Sequence, residues 1–245
     1  MVVLFAMAAL ACGTHGAQEG GVTVDPAKMF TDASLLAAAR AIESNDLPRL
    51  DSLVRSGTPV NGRGNEGATL LMFGVGTKRK EAARELVKLG ADPNLRAVNG
   101  LSAVMLAAGS DDSNLLPILL DGGANPNLHN DRDEPMTFTA AREKRWRNLD
   151  LLLDRGANID ATDSAGDTLM ISLAFVDRYE PIVKLLERGA DFRIAGDGGW
   201  TLAHSIQKSR LRPDSADGKW LQKARAFLEA KGVEFPIRTP AGGVR

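Results

Sequence analysis

Residues 166–191 read GDTLMISLAFVDRYEPIVKLLERGAD. Thr168 stands before an apolar run, Leu169 to Phe175, where its hydroxyl can accept from the free amides of a helix N-terminus. A second apolar-periodic run leads to Leu185-Leu186 and stops at Gly189, and a left-handed helix C-cap suits glycine. The stretch is one copy of a unit. Glycines stand at 57, 90, 123, 156 and 189, each step 33 residues, and Gly232 follows 43 further on. A second landmark keeps the same period: GATLLM (67–72), GLSAVM (100–105), DEPMTF (133–138), GDTLMI (166–171) and GWTLAH (199–204). Two landmarks in phase predict helix, turn, helix and hairpin in every copy. The Asp/Asn-Pro-Asn segments turn outward, and Pro93 or Pro126 forbids a third helix there. No unit can bury its apolar face alone, so neighbours must stack.

These residues resemble the ankyrin repeat, whose pattern runs Gly-x-Thr-Pro-Leu-His-x-Ala, a second helix ending Leu-Leu, then Gly-Ala-Asp-x-Asn. Departures are the family's Pro, replaced here by Leu, Ala or Met, and its His, kept only at His204. Repeat four begins Asp133-Glu134-Pro135, so its first helix is expected to start differently. The resemblance implies an all-α ankyrin-repeat solenoid of about six helix-turn-helix units with projecting hairpins. Its expected repeats are 31–63, 64–96, 97–129, 130–162, 163–195 and 196–238, the first a capping repeat. The last carries an insert, Arg210 to Trp220, between its helices, and 239–245 is expected to be a flexible tail.

Composition agrees with small-residue helices. Aromatics make up 5% of the 245 residues, too few for a β-sandwich, which draws on aromatic and β-branched strands. With 30 basic and 31 acidic side chains, no wholesale basic surface exists for nucleic acid. A single Cys excludes an internal disulfide, and with three His no Cys/His zinc site can be assembled. No metal or other cofactor is expected. His129 and His204 lie on different repeats without triad or metal-ligand spacing. The resemblance places His204 where a histidine bonds the next loop. Acidic pairs such as Asp111-Asp112 suit turns, and no phosphate-cradling motif appears, so an enzyme is not expected.

The N-terminus points to export. Residues 2–12 (VVLFAMAALAC) form an apolar run too short to cross a bilayer but of signal-peptide length, although no Lys or Arg precedes it. Residues 1–17 are therefore expected to be a signal peptide and 18–30 a linker. Ala9-Leu10-Ala11-Cys12 also resembles a bacterial lipobox, with small and Leu positions reversed, which would make Cys12 a lipidation site and the chain's only membrane attachment. The expected location is the periplasm, free or anchored.

The resemblance also implies a concave face that holds a protein partner. Its columns put Leu101, Glu134 and Trp200 just after the Gly-x-Thr glycine position, and Arg142, Phe175 and Val176 at first-helix ends. Hairpin residues His129 and Arg132 join them, and the aromatics Trp146, Tyr179 and Trp220 are secondary candidates. Large exposed aromatics are the usual hot-spot type, which makes Trp200 and Phe175 the expected anchors. Short exported ankyrin arrays resemble periplasmic immunity proteins that neutralise type VI secretion phospholipase effectors. A scaffold for an envelope enzyme and a cytosolic ankyrin adaptor are the other readings. The oligomeric state stays open.

Overall fold

The computed structural model describes residues 24–238; the expected signal peptide with Cys12 and the expected tail 239–245 lie outside the described residues. The described residues hold thirteen α-helices: α1 Pro26–Met29, α2 Ala33–Glu43, α3 Leu47–Arg55, α4 Leu70–Gly76, α5 Lys80–Lys88, α6 Ala103–Gly109, α7 Leu115–Asp121, α8 Met136–Arg142, α9 Trp146–Asp154, α10 Leu169–Phe175, α11 Tyr179–Glu187, α12 Leu202–Lys208 and α13 Ala216–Ala230. Among them the only β-pairing consists of isolated antiparallel bridges, such as Arg96 with Ser102 and Thr162 with Thr168.

Two compact units divide these elements, one built from the described residues through Asp131 with Met136–Ala157, the other from Arg132–Pro135 with residues 158 onward. In the first, α2, α4, α6 and α8 pack in succession, and each is backed by its partner, α3, α5, α7 or α9. In the second, α10 packs on α12 and α11 on α13. The helix-turn-helix pairs thus stack within each unit, as an unburied apolar face requires.

Local chemistry sets the helix ends. Thr69, Ser102 and Thr168 hydroxyls accept from the amides of Met72, Met105 and Ile171 at 3.2, 3.4 and 3.4 Å. Second helices end at Gly57, Gly90, Gly123, Gly156, Gly189 and Gly232, all with positive φ between 87° and 115°. An L side chain there would strain the backbone, which explains the 33-residue glycine period. In repeat four Pro135 stands where the others carry Thr or Ser, yet α8 keeps seven residues.

An asparagine ladder ties each hairpin to the next. Asn61, Asn94 and Asn127 donate to the carbonyls of Gly90, Gly123 and Gly156 at 3.0, 3.1 and 3.1 Å. Asn61 and Asn94 also accept from the amides of Asp92 and Asn125, both at 2.8 Å. In the second unit the same place is taken by Asp160, which accepts from the Asp191 amide at 2.8 Å. A carboxylate has no proton for the Gly189 carbonyl, which occupies the acceptor position there. Asp160→Asn should therefore gain about 1 kcal/mol of stability, read by urea unfolding at neutral pH. An unchanged midpoint would contradict the ladder's role in that unit.

The structure corrects two readings of the sequence. Residues 24–30 belonged to the expected linker, yet Val24, Pro26, Met29 and Phe30 are buried. Their apolar side chains complete the first unit, against α2 and the turn Asn65–Gly67. The expected insert loop Arg210–Trp220 is helical from Ala216 onward, where the Ser215 hydroxyl caps α13 by accepting from the Gly218 amide at 3.0 Å. The ten extra residues divide between the two: α13 has 15 residues against nine in α11, and the connection before it, 209–215, is longer than 176–178 in the preceding repeat.

Candidate functional site

The expected binding columns divide by burial. After each Gly-x-Thr glycine position the backbone turns into a first helix, so the next side chain is carried inward. Ala68 and Asp167 are buried, and Leu101 and Glu134 are half-buried. Trp200, expected as an anchor, is only 3% exposed. Its ring folds onto its own helix: Nε1 donates to Ser205 Oγ at 2.9 Å, the His204 ring lies 5.2 Å away, and Lys208 Nζ sits 4.6 Å from its centroid. Trp200 is a core residue of the second unit and offers no surface to a partner.

Tyr179 is corrected in the same way. It opens α11 and is fully buried, with its hydroxyl donating to the Ser205 carbonyl at 3.5 Å. Burial, with a smaller push from the Asp177 charge, raises its pKa to about 12, against the lowering effect of Ser209. A tyrosine that holds its proton longer when folded stabilises fully below the unfolded value near 10 and loses that contribution as pH rises to 12. The second unit should lose roughly 2 kcal/mol across that window, and Tyr179→Phe should flatten the loss. An unchanged alkaline slope in the variant would assign the loss to other groups.

The remaining candidates keep surface. Phe175, the last residue of α10, is 47% exposed and Val176 beside it 63%. Asp177 takes a left-handed conformation at φ 54°, which swings the turn away from the helix, and its carboxylate accepts from the Ser209 hydroxyl at 3.0 Å. The exposed cations Arg178, Lys208 and Arg210 belong to this end of the second unit, Lys208 occupying on α12 the position that Phe175 holds on α10. Arg132 is exposed and Glu134 half-buried in the same unit. In the first unit Arg142 is exposed, 3.8 Å from Glu143, while His129 and Trp146 are half-buried. Trp220 is half-buried on α13 with Lys223 Nζ 4.0 Å from its ring. The candidates thus fall in both units, with Phe175 and Val176 the pair that one turn brings together.

His204 behaves as the resemblance implied. Its Nδ1 accepts from the Thr201 amide at 3.1 Å, closing a capping box, which leaves Nε2–H to donate to the Arg238 carbonyl at 3.0 Å. Sequence reasoning missed Val98, 84% exposed at the tip of a first-unit hairpin. A β-branched aliphatic residue directly before the turn pair Asn99-Gly100 was the available signal. It also missed Asn148 and Gln207, whose partners lie far along the chain. Among the described residues no group of three or more metal-ligating side chains gathers, and no helix is long and apolar enough to cross a membrane.

Comparisons with known proteins agree with this geometry. Residues 35–130 match the family model of ankyrin repeats, in three copies. A crystal structure of an ankyrin repeat protein superposes with a TM-score of 0.66 at 23% identity, covering 80% of this chain and 97% of that one. An ankyrin repeat domain from Acinetobacter baumannii does so with a TM-score of 0.66 at 19% identity, covering 79% and 97%. No curated protein matches the chain. No catalytic family is indicated. The fold is an all-α ankyrin-repeat one.

Proposed function

We propose that this is an exported protein-binding module that occludes a partner enzyme, an antibacterial effector such as a phospholipase, and so protects its own cell. The observation that carries the binding reading is the exposed pair Phe175 and Val176, associated with Arg178, Lys208 and Arg210 at one end of the second unit. An apolar pair with nearby cations fits a partner that offers an apolar protrusion among acidic groups. Export rests on the apolar run at residues 2–12. Of the two expected anchors, Phe175 is the one with exposed surface.

The test joins affinity to physiology. Phe175→Ser with Val176→Ser should weaken the isolated partner's binding by about tenfold or more and leave the melting temperature unchanged, since both side chains are exposed. Affinity kept within about threefold would remove this end of the unit from the interface. Cells lacking the gene should lose growth only while a neighbouring toxin is active. Equal growth under that attack would end the immunity reading and leave the binding module standing.

A further inference from the structure

The last described residues are held in an unusual way. Gln207 on α12 reads both main-chain groups of Ile237: its Oε1 accepts the Ile237 amide at 2.7 Å and its Nε2 donates to the Ile237 carbonyl at 3.0 Å. One helical turn earlier, His204 Nε2 donates to the next carbonyl, that of Arg238, at 3.0 Å. These contacts are to backbone, so they would hold any main chain laid along α12. Burial alternates in this segment: Val233, Phe235 and Ile237 are half-buried, while Glu234, Pro236 and Arg238 are exposed. Arg225 on α13 lies 4.5 Å from the Phe235 ring centroid.

We infer that the face of α12 bearing Gln207 and His204, with Arg225 of α13, is a peptide-binding groove that the chain's own residues 235–238 occupy. Its ligand class is a peptide with an aromatic residue, one spacer and an aliphatic residue, the latter's main chain clasped by Gln207. The resident segment is a strap. Its hydrogen bonds come from two side chains, with no helix or strand ladder behind them, and none of its side chains is fully buried. The opposite terminal segment, with Met29 and Phe30 buried to 1% and 0% exposure, is core by comparison. Tethering gives the strap an effective concentration on the order of millimolar, so a competing peptide must be delivered locally, as by a docked partner. The groove does not depend on the Phe175–Val176 reading.

Hydrogen exchange on the full chain tests the strap. The Ile237 amide should exchange at least about a hundredfold faster than that of Leu228 in α13, because the strap opens without unfolding. The full-length Ile237→Pro variant lacks the donor to Gln207, so it should bind an added peptide copying residues 234–238. Adding Gln207→Ala to that variant should weaken peptide binding by about tenfold or more. Exchange of Ile237 together with Leu228 would make the segment a fixed cap and overturn the proposal. So would an Ile237→Pro variant that is folded and binds the peptide no better than the unaltered chain. Should the variant not fold, the exchange comparison decides alone.

Discussion

Phe30→Ala should destabilise the first unit by about 3–5 kcal/mol, the range for truncating a fully buried phenylalanine. Phe30 is 0% exposed and meets Phe73 edge-on, with centroids 6.1 Å apart and planes at 85°. It arrives there because Asp25 accepts from the Ala27 amide at 2.9 Å, Pro26 opens α1, and the Phe30 amide closes the turn on the Pro26 carbonyl at 2.9 Å. Asn65 then holds the Lys28 carbonyl at 2.9 Å, and Gly64 lies so close that a Cβ would sit 2.7 Å from Phe30 Cδ1. Truncation removes the ring from a site whose backbone is pinned on both sides, so little collapse can fill the void. Lys28→Ala, on the exposed side of the same turn, should stay within about 0.5 kcal/mol. Thermal or urea unfolding of the two variants checks the contrast. A Phe30→Ala loss below about 1 kcal/mol would return residues 24–30 to the role of a linker.

What was legible in the sequence was local. The period, the hydroxyl caps at Thr69, Ser102 and Thr168 and the left-handed glycines each depend on a few consecutive residues, and each is found in place. Residues 24–30 were misread because they carry neither landmark, and their burial is decided by Gly64, Asn65 and Phe73, more than thirty positions away. Trp200 and Tyr179 were misread for a related reason. A column position says where a side chain starts, whereas Ser205, His204 and Lys208 decide where the Trp200 ring rests. Phe175 and Val176 were legible because they sit where a helix ends and the chain turns outward through Asp177. The helical part of the insert had a signal of its own in Ser215 and Asp217, a hydroxyl cap followed by an acid in the first turn.

Asn148→Leu should cost the first unit about 3 kcal/mol or more, through groups that the sequence never sets side by side. The first helices α2, α4, α8 and α10 close their C-termini with the following turn: after α4, Lys78 and Arg79 amides return to the Val75 and Gly74 carbonyls at 3.0 and 2.8 Å, with Lys78 at φ 57°. In the third repeat Ser110 instead leaves α6 with extended backbone, at φ −69° and ψ 146°. The carbonyls at that helix end need donors from elsewhere. The Asn148 amide, 1% exposed on α9, supplies them to Ala107, Ala108 and Ser110, each at 3.1 Å, and Arg145 Nε reaches the Gly109 carbonyl at 3.2 Å. Leucine fills nearly the same volume but leaves buried carbonyls unmet, each worth about 1–3 kcal/mol. Packing loss and donor loss are separated by Asn148→Asp. An ionised aspartate facing three carbonyls should be at least as damaging as leucine at neutral pH, since it adds repulsion to the missing donors. Once protonated it can donate one hydrogen bond, so its pKa in the folded chain must lie above its unfolded value. The deficit of Asn148→Asp should therefore shrink as pH falls toward about 4, relative to that of Asn148→Leu measured beside it. Equal deficits of the two variants at every pH would show that shape, and not the amide donor, holds α9 against the end of α6.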